Sequence, residues 1–197
     1  MNLLALIAVF LVALRAVGAG VQFPSEVSIK SLDGKWQVAC KSSGESDEQS
    51  GHLLLLKRIG VASVELRRFD RHCDNIWSPD SSHLAVTDWL GSNMSDVFIY
   101  SVTNSATGIS VGDLFPKGTI SEAELRGHCY FEATKWLDHH RLRIRVFGHT
   151  DEVHAHSFKH TYVFDLRSGH FEEVGKRGRT RTLQATAATP RSRIVYL

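Results

Sequence analysis

One pattern recurs three times along this chain, and it constrains the fold more than any other feature. Each copy opens with an aspartate in a turn-forming context. A strand-like run follows, then a polar loop, an apolar run, a glycine and a last short run. The first copy is SLDGKWQVACKS, HLLLLKR, Gly60 and VASVEL; the second is WSPDSSHLAVTDW, VFIYSV, Gly108 and ISVGDL; the third is WLDHHRLRIRVFGHT, KHTYVFDL, Gly169 and HFEEV. Asp33, Asp80 and Asp138 hold equivalent places. An aspartate suits a tight turn because its carboxylate accepts backbone N–H groups one and two residues on. LLLL and VFIY are unbroken apolar runs, as in strands covered on both faces. In HLAVTDW, Leu84 and Val86 share one face of a strand; Ala85, Thr87 and Trp89 share the other. Gly60, Gly108 and Gly169 are expected to turn with positive φ.

These needs are met by small four-stranded sheets stacked face to face, as in the blades of a β-propeller. The expected fold is therefore all-β, with three propeller-like repeats at about 27–66, 77–114 and 136–174. The longer interval before the third copy holds an insertion, FPKGTISEAELRGHCYFEATK. There Ser121 and Glu124 form a capping box for a short helix over EAELR.

The middle copy resembles the TolB-like, or WD40-like (PD40), β-propeller repeat. Trp77, Ser78, Pro79, Asp80, Leu84, Ala85, Val86, Asp96 and Tyr100 match its pattern, and Ser81 stands where that family usually has glycine. The first copy keeps Asp33 and Gly34 but has Leu32 in place of proline; the third keeps Trp136, Asp138, Leu142 and Ile144. The resemblance spans roughly residues 27–174 and implies fold rather than function. Propellers use four to eight blades. Three repeats are thus expected to pair with another chain, close as a distorted barrel, or keep a covered edge.

The amino terminus carries the apolar run LLALIAVFLVAL, stopped by Arg15 and followed by Ala16, Gly18, Ala19 and Gly20. This is too short to span a bilayer, and small residues at its end suit signal peptidase. Residues 1–20 are expected to be a signal peptide, the mature chain to lack a membrane span, and the protein to be periplasmic or secreted. Cys40, Cys73 and Cys129 allow one bridge in three pairings, or three buried thiols. None has metal-site or redox-motif spacing.

Residues 175–197 carry Lys176, Arg177, Arg179, Arg181, Arg191 and Arg193 with no acid. They read as a basic, flexible tail able to touch an anionic surface. With 23 basic against 21 acidic residues, the whole chain has no general pull on nucleic acid.

Catalysis is not advertised. No G-x-S-x-G elbow occurs, and the acidic pairs Asp47-Glu48, Asp151-Glu152 and Glu172-Glu173 are neighbours that point to opposite faces in a strand. The expectation is a non-enzymatic binding and assembly protein that meets a protein partner or itself. Its binding loops would carry Asn93, Asp96, Asp151, His154 and His156. No cofactor is required by the sequence. The one alternative ligand is zinc or copper, on the histidine-rich stretch of His149, His154, His156 and His160. A small hydrolase with an unadvertised site is the other alternative.

Overall fold

The computed structural model describes residues 21–24, 28–43, 51–58, 60–102, 108–175 and 180–184. The expected signal peptide and most of the basic tail lie outside the described residues. The chain is almost entirely β. Strand β1 (Val21–Phe23) precedes a first meander of β2 (Ser28–Lys30), β3 (Trp36–Ser43), β4 (Gly51–Arg58) and β5 (Val64–Phe69). The second meander is β6 (Cys73–Trp77), β7 (His83–Asp88), β8 (Met94–Ser101) and β9 (Gly108–Ser110). Two short helices follow, α1 (Val111–Leu114) and α2 (Glu122–Arg126). The third meander is β10 (His128–Trp136), β11 (Arg141–His149), β12 (Ser157–Asp165) and β13 (His170–Val174), extended by β14 (Thr180–Gln184).

Within each meander neighbouring strands pair antiparallel. The three aspartates make the turns expected of them. Asp33 Oδ1 accepts the Lys35 N–H at 3.0 Å, Asp80 Oδ1 that of Ser82 at 3.1 Å, and Asp138 Oδ1 that of His140 at 3.0 Å. The middle sheet is covered on both faces, as its continuous apolar runs require. Leu84, Val86 and Tyr100 pack with Val38, Leu54 and Leu66 of the first meander. Ala85, Val97 and Ile99 pack with Phe131, Ile144 and Phe164 of the third.

The strand connectivity departs from three separate blades. β2–β5 form a four-stranded sheet, but the second and third meanders share one ten-stranded sheet, and β1 lies on the β6 edge. The link is β8. Its later half pairs with β9, while Met94 and Ser95 pair in parallel with Cys129 and Tyr130 of β10. Among the described residues the sheets close into neither a barrel nor a propeller ring. The all-β expectation stands; the sequence shows each meander but not how one strand edge divides between two partners.

Three local expectations are corrected. Gly108 does not turn with positive φ; it lies in β9, where a Cβ would come within 2.7 Å of the Tyr100 ring. The run ISVGDL is not a full strand. It stops at Ser110, whose hydroxyl accepts the Asp113 N–H at 3.0 Å and caps α1. Residues 180–184, read as part of the tail, form β14 against β13. The insertion helix is as expected: Ser121 and Glu124 cap α2 reciprocally.

Candidate functional site

The division of β8 leaves a gap in the sheet at Asp96, and a cleft of about 380 Å³ opens there. Its walls come from the loop before β8, from α1 and α2, and from the start of β10. Leu90, Met94 and Leu125 form an apolar rim, and each is more than two-fifths exposed. Asn93, Asp113 and Arg126 add polar groups, while Cys129 and Phe131 form the floor. Cleft size and lining match those of sites that take small molecules or peptide side chains.

Asp96 is the centre of this cleft. Its Oδ1 accepts the N–H groups of Val97 at 2.7 Å and Gly112 at 2.9 Å. Its Oδ2 accepts the Ser110 hydroxyl at 2.6 Å. Gly112 permits this approach, since a Cβ there would lie 3.0 Å from Asp96 Oδ1. Burial pushes the Asp96 carboxyl up to about 6, outweighing the three hydrogen bonds that favour its anion. The Asp113 charge adds to the rise. Oδ1 has both lone pairs engaged, whereas Oδ2 keeps one free to exchange a proton with a bound molecule.

The other polar groups are fixed or inert. Ser95 is buried and donates its hydroxyl to the Phe131 carbonyl at 2.8 Å. Burial raises the Cys129 thiol to about 11, which keeps it from being a thiolate nucleophile.

Of the residues marked by the sequence, Asn93 and Asp96 meet in this cleft. The others do not join them. Asp151, His154 and His156 are exposed around the turn between β11 and β12. The backbone there is closed by Thr150 and His156, each donating its N–H to the other residue, at 3.0 Å. The His149 ring lies 4.1 Å from that of His128. His160 sits between two carboxylates, Glu124 at 3.2 Å and Glu173 at 3.5 Å. His154 and His156 are on a turn, so the shared face of a strand does not apply to them. Ser110, Gly112, Arg126 and Cys129 were not marked as site residues, because β9 and its helix bring the first two to β8 and only the folded insertion brings the other two.

Among the described residues, one group of metal-type donors comes together elsewhere: Asp138, His139 and His140, with donor atoms within 4.8 Å of one another. These groups are already engaged. Asp138 pairs with Arg141 Nε at 2.6 Å and accepts the backbone N–H groups of His140 and Arg141. His139 Nε2 meets Arg167 Nη2 at 2.5 Å. Two guanidinium groups oppose a cation there, so the group reads as the hub of a turn.

No family model matches the chain, and no curated protein matches it. A solved structure, the AtxE2 isopeptidase in its apo form, shares the fold with a TM-score of 0.52 at 13% identity. The likeness covers 82% of this chain and 31% of that one, so this chain spans about a third of its length. The expectation of a non-catalytic binding and assembly protein is thereby corrected. The architecture that matches belongs to an enzyme, and strand patterning alone had no means of showing it.

Proposed function

We propose that this chain forms the β part of an amide-cleaving hydrolase of the isopeptidase kind, that the cleft beside β8 takes the peptide, and that Asp96 moves the proton. The observation that carries this reading is a carboxyl pushed up to about 6, inside a cleft with an apolar rim and a free Oδ2 lone pair. A group poised near neutrality is what general acid–base catalysis uses. Above pH 6 Asp96 is the anion and takes a proton from a water attacking the amide carbon. The protonated carboxyl then returns that proton to the departing amine. Arg126 also lines the cleft, where an exposed pair with Glu122 at 3.5 Å leaves its other guanidinium nitrogen for the developing oxyanion. The likeness to an isopeptidase supports the choice of an amide bond.

The three meanders, each with its aspartate turn, are read here as blades of a TolB-like propeller-type fold. The apolar leader supports export to the periplasm or the exterior. Among the described residues β2 and β5 are the edges of their sheet, and there further chain, of this protein or a partner, would pair.

The test is turnover of an isopeptide-linked peptide and its linear counterpart, followed by mass spectrometry across pH. Cleavage with a rate rising through pH 6, lost in Asp96→Asn, supports the proposal. No cleavage of either peptide at any pH, or an unchanged pH profile in Asp96→Asn, overturns it.

A further inference from the structure

We infer a second binding surface, independent of the Asp96 cleft: a basic groove at one end of the four-stranded sheet that takes an acidic, extended peptide segment. The sheet register builds it. Lys30 of β2, Gln37 of β3 and Lys57 of β4 stand opposite one another in one cross-strand row, so their side chains share a face. That face points away from the core, because Val38, Leu54 and Leu56 on the alternate positions fill the interior. The next row on the same face is Ser28, Ala39 and Leu55. There Ser28 accepts the Gln37 side-chain amide at 2.7 Å, Ala39 is buried and Leu55 is partly exposed.

The row opens into a groove of about 340 Å³ lined by Lys30, Lys35, Lys57 and Arg58 with Trp36 and Val61, and among the described residues none that lines it is acidic. Lys35 is paired, with Asp33 at 3.4 Å. Among the described residues Lys30, Lys57 and Arg58 form no ion pair, although the chain as a whole carries only +2. Charges of one sign gathered in a recess raise the local concentration of the opposite sign.

The chemistry favours peptide over nucleic acid. Base stacking needs an open aromatic face, but the Trp36 ring already lies under the Arg58 guanidinium at 5.4 Å. Val61, in the groove lining, is 60% exposed beside the cations, which suits an aliphatic side chain between carboxylates. β2 is an edge of its sheet, so an extended segment gains backbone hydrogen bonds by lying alongside it.

The experiment is a fluorescence anisotropy titration with three labelled probes of equal length. One is a peptide alternating Glu and Val, one has Gln for each Glu, and one is a single-stranded DNA. The acidic peptide is expected to bind about tenfold more tightly than the Gln peptide, and to weaken as salt rises from about 0.05 M to about 0.5 M. Lys30→Glu with Lys57→Glu is expected to weaken it at least about tenfold at an unchanged melting temperature. If that pair misfolds, Lys30→Gln with Lys57→Gln is read instead and is expected to weaken it several-fold. Asp96→Asn keeps the binding, which separates this surface from the hydrolase proposal. Equal binding of the Glu and Gln peptides, tighter binding of DNA, or unchanged affinity in a folded Lys30/Lys57 variant overturns the inference.

Discussion

The backbone N–H of Asp33 donates to the hydroxyl of Ser81, 48 residues on, at 3.0 Å, joining two aspartate turns. Ser81 is buried and has φ of 62°, in the left-handed region that favours glycine. Glycine would adopt this conformation without a Cβ penalty. Here the side chain accepts backbone strain and in return fixes the first meander against the second. The residue with positive φ is thus also the contact between the first two meanders.

Ser81→Ala and Ser81→Gly separate these two effects. Alanine keeps the positive φ and leaves the Asp33 N–H without its partner, so it should cost about 1–2 kcal/mol. Glycine loses the same bond but relieves the backbone, and should stay within about 1 kcal/mol of wild type. Urea denaturation ranks the three proteins. Alanine at or above glycine in stability would remove φ strain from the account.

A second tie between the first two meanders is the ion pair of Arg67 on β5 and Asp88 on β7. Asp88 is 1% exposed, and the Arg67 guanidinium also lies over the Phe98 ring at 3.5 Å. Burial raises the Asp88 carboxyl, and Arg67 opposes that rise. Arg67→Ala strands a buried carboxylate, and about 3 kcal/mol of stability should be lost. Adding Asp88→Ala should recover part of it, because the unpaired charge is then gone. The check is a double-mutant cycle by chemical denaturation. A double variant as unstable as the two single losses added together would show that the pair is not coupled.

Features set by neighbours in sequence were legible in the chain. The three aspartate turns, the capping box of Ser121 and Glu124, and the opposite faces of Leu84 and Ala85 depend on residues a few positions apart. What the sequence did not show depends on distant partners. The parallel pairing of Met94 with Cys129 has no turn signal of its own, and it is this pairing that opens the cleft at Asp96. Asp96 was visible as part of a repeat, and Asn93 as a loop residue. Their conversion into a site required α1 and the folded insertion. The histidine-rich stretch drew attention by composition, yet His160 is engaged by Glu124 and Glu173 while His154 and His156 sit on an exposed turn.

The three cysteines are free thiols, and their environments rank their reactivity. Burial pushes Cys73 up to about 12 and Cys129 to about 11. Cys40 is also raised by burial but is partly exposed, at the side of the core that holds Cys73. At pH 8 an aromatic disulfide reagent should label Cys40 first, with Cys73 and Cys129 reacting only as the chain unfolds. Peptide mapping of the native protein after brief labelling reads this order. Rapid labelling of Cys129 would mean that the cleft floor opens to solvent.

The same environment that readies Asp96 for proton transfer also makes stability depend on pH. Its folded carboxyl, at about 6, lies above the ordinary value of 3.8. The folded state therefore binds the proton more tightly than the unfolded state between those values. The contribution is fully present below pH 3.8 and is lost as pH rises through 6, by at most roughly 3 kcal/mol. Asp33, Asp80, Asp138 and Asp165 act in the opposite sense. Hydrogen bonds from their turns hold them below the ordinary range, so their contribution is present above it and is lost only in stronger acid. Between about pH 4 and about pH 6.5 the Asp96 effect should dominate, and the wild-type melting temperature should fall across that window. Asp96→Asn removes its titration, and its curve should fall less there than that of the wild type, with the raised Asp88 carboxyl and the lowered His83 imidazole left to titrate. Wild-type and Asp96→Asn curves of the same slope from about pH 4 to about pH 6.5 would remove the raised Asp96 carboxyl, and with it its role in the cleft.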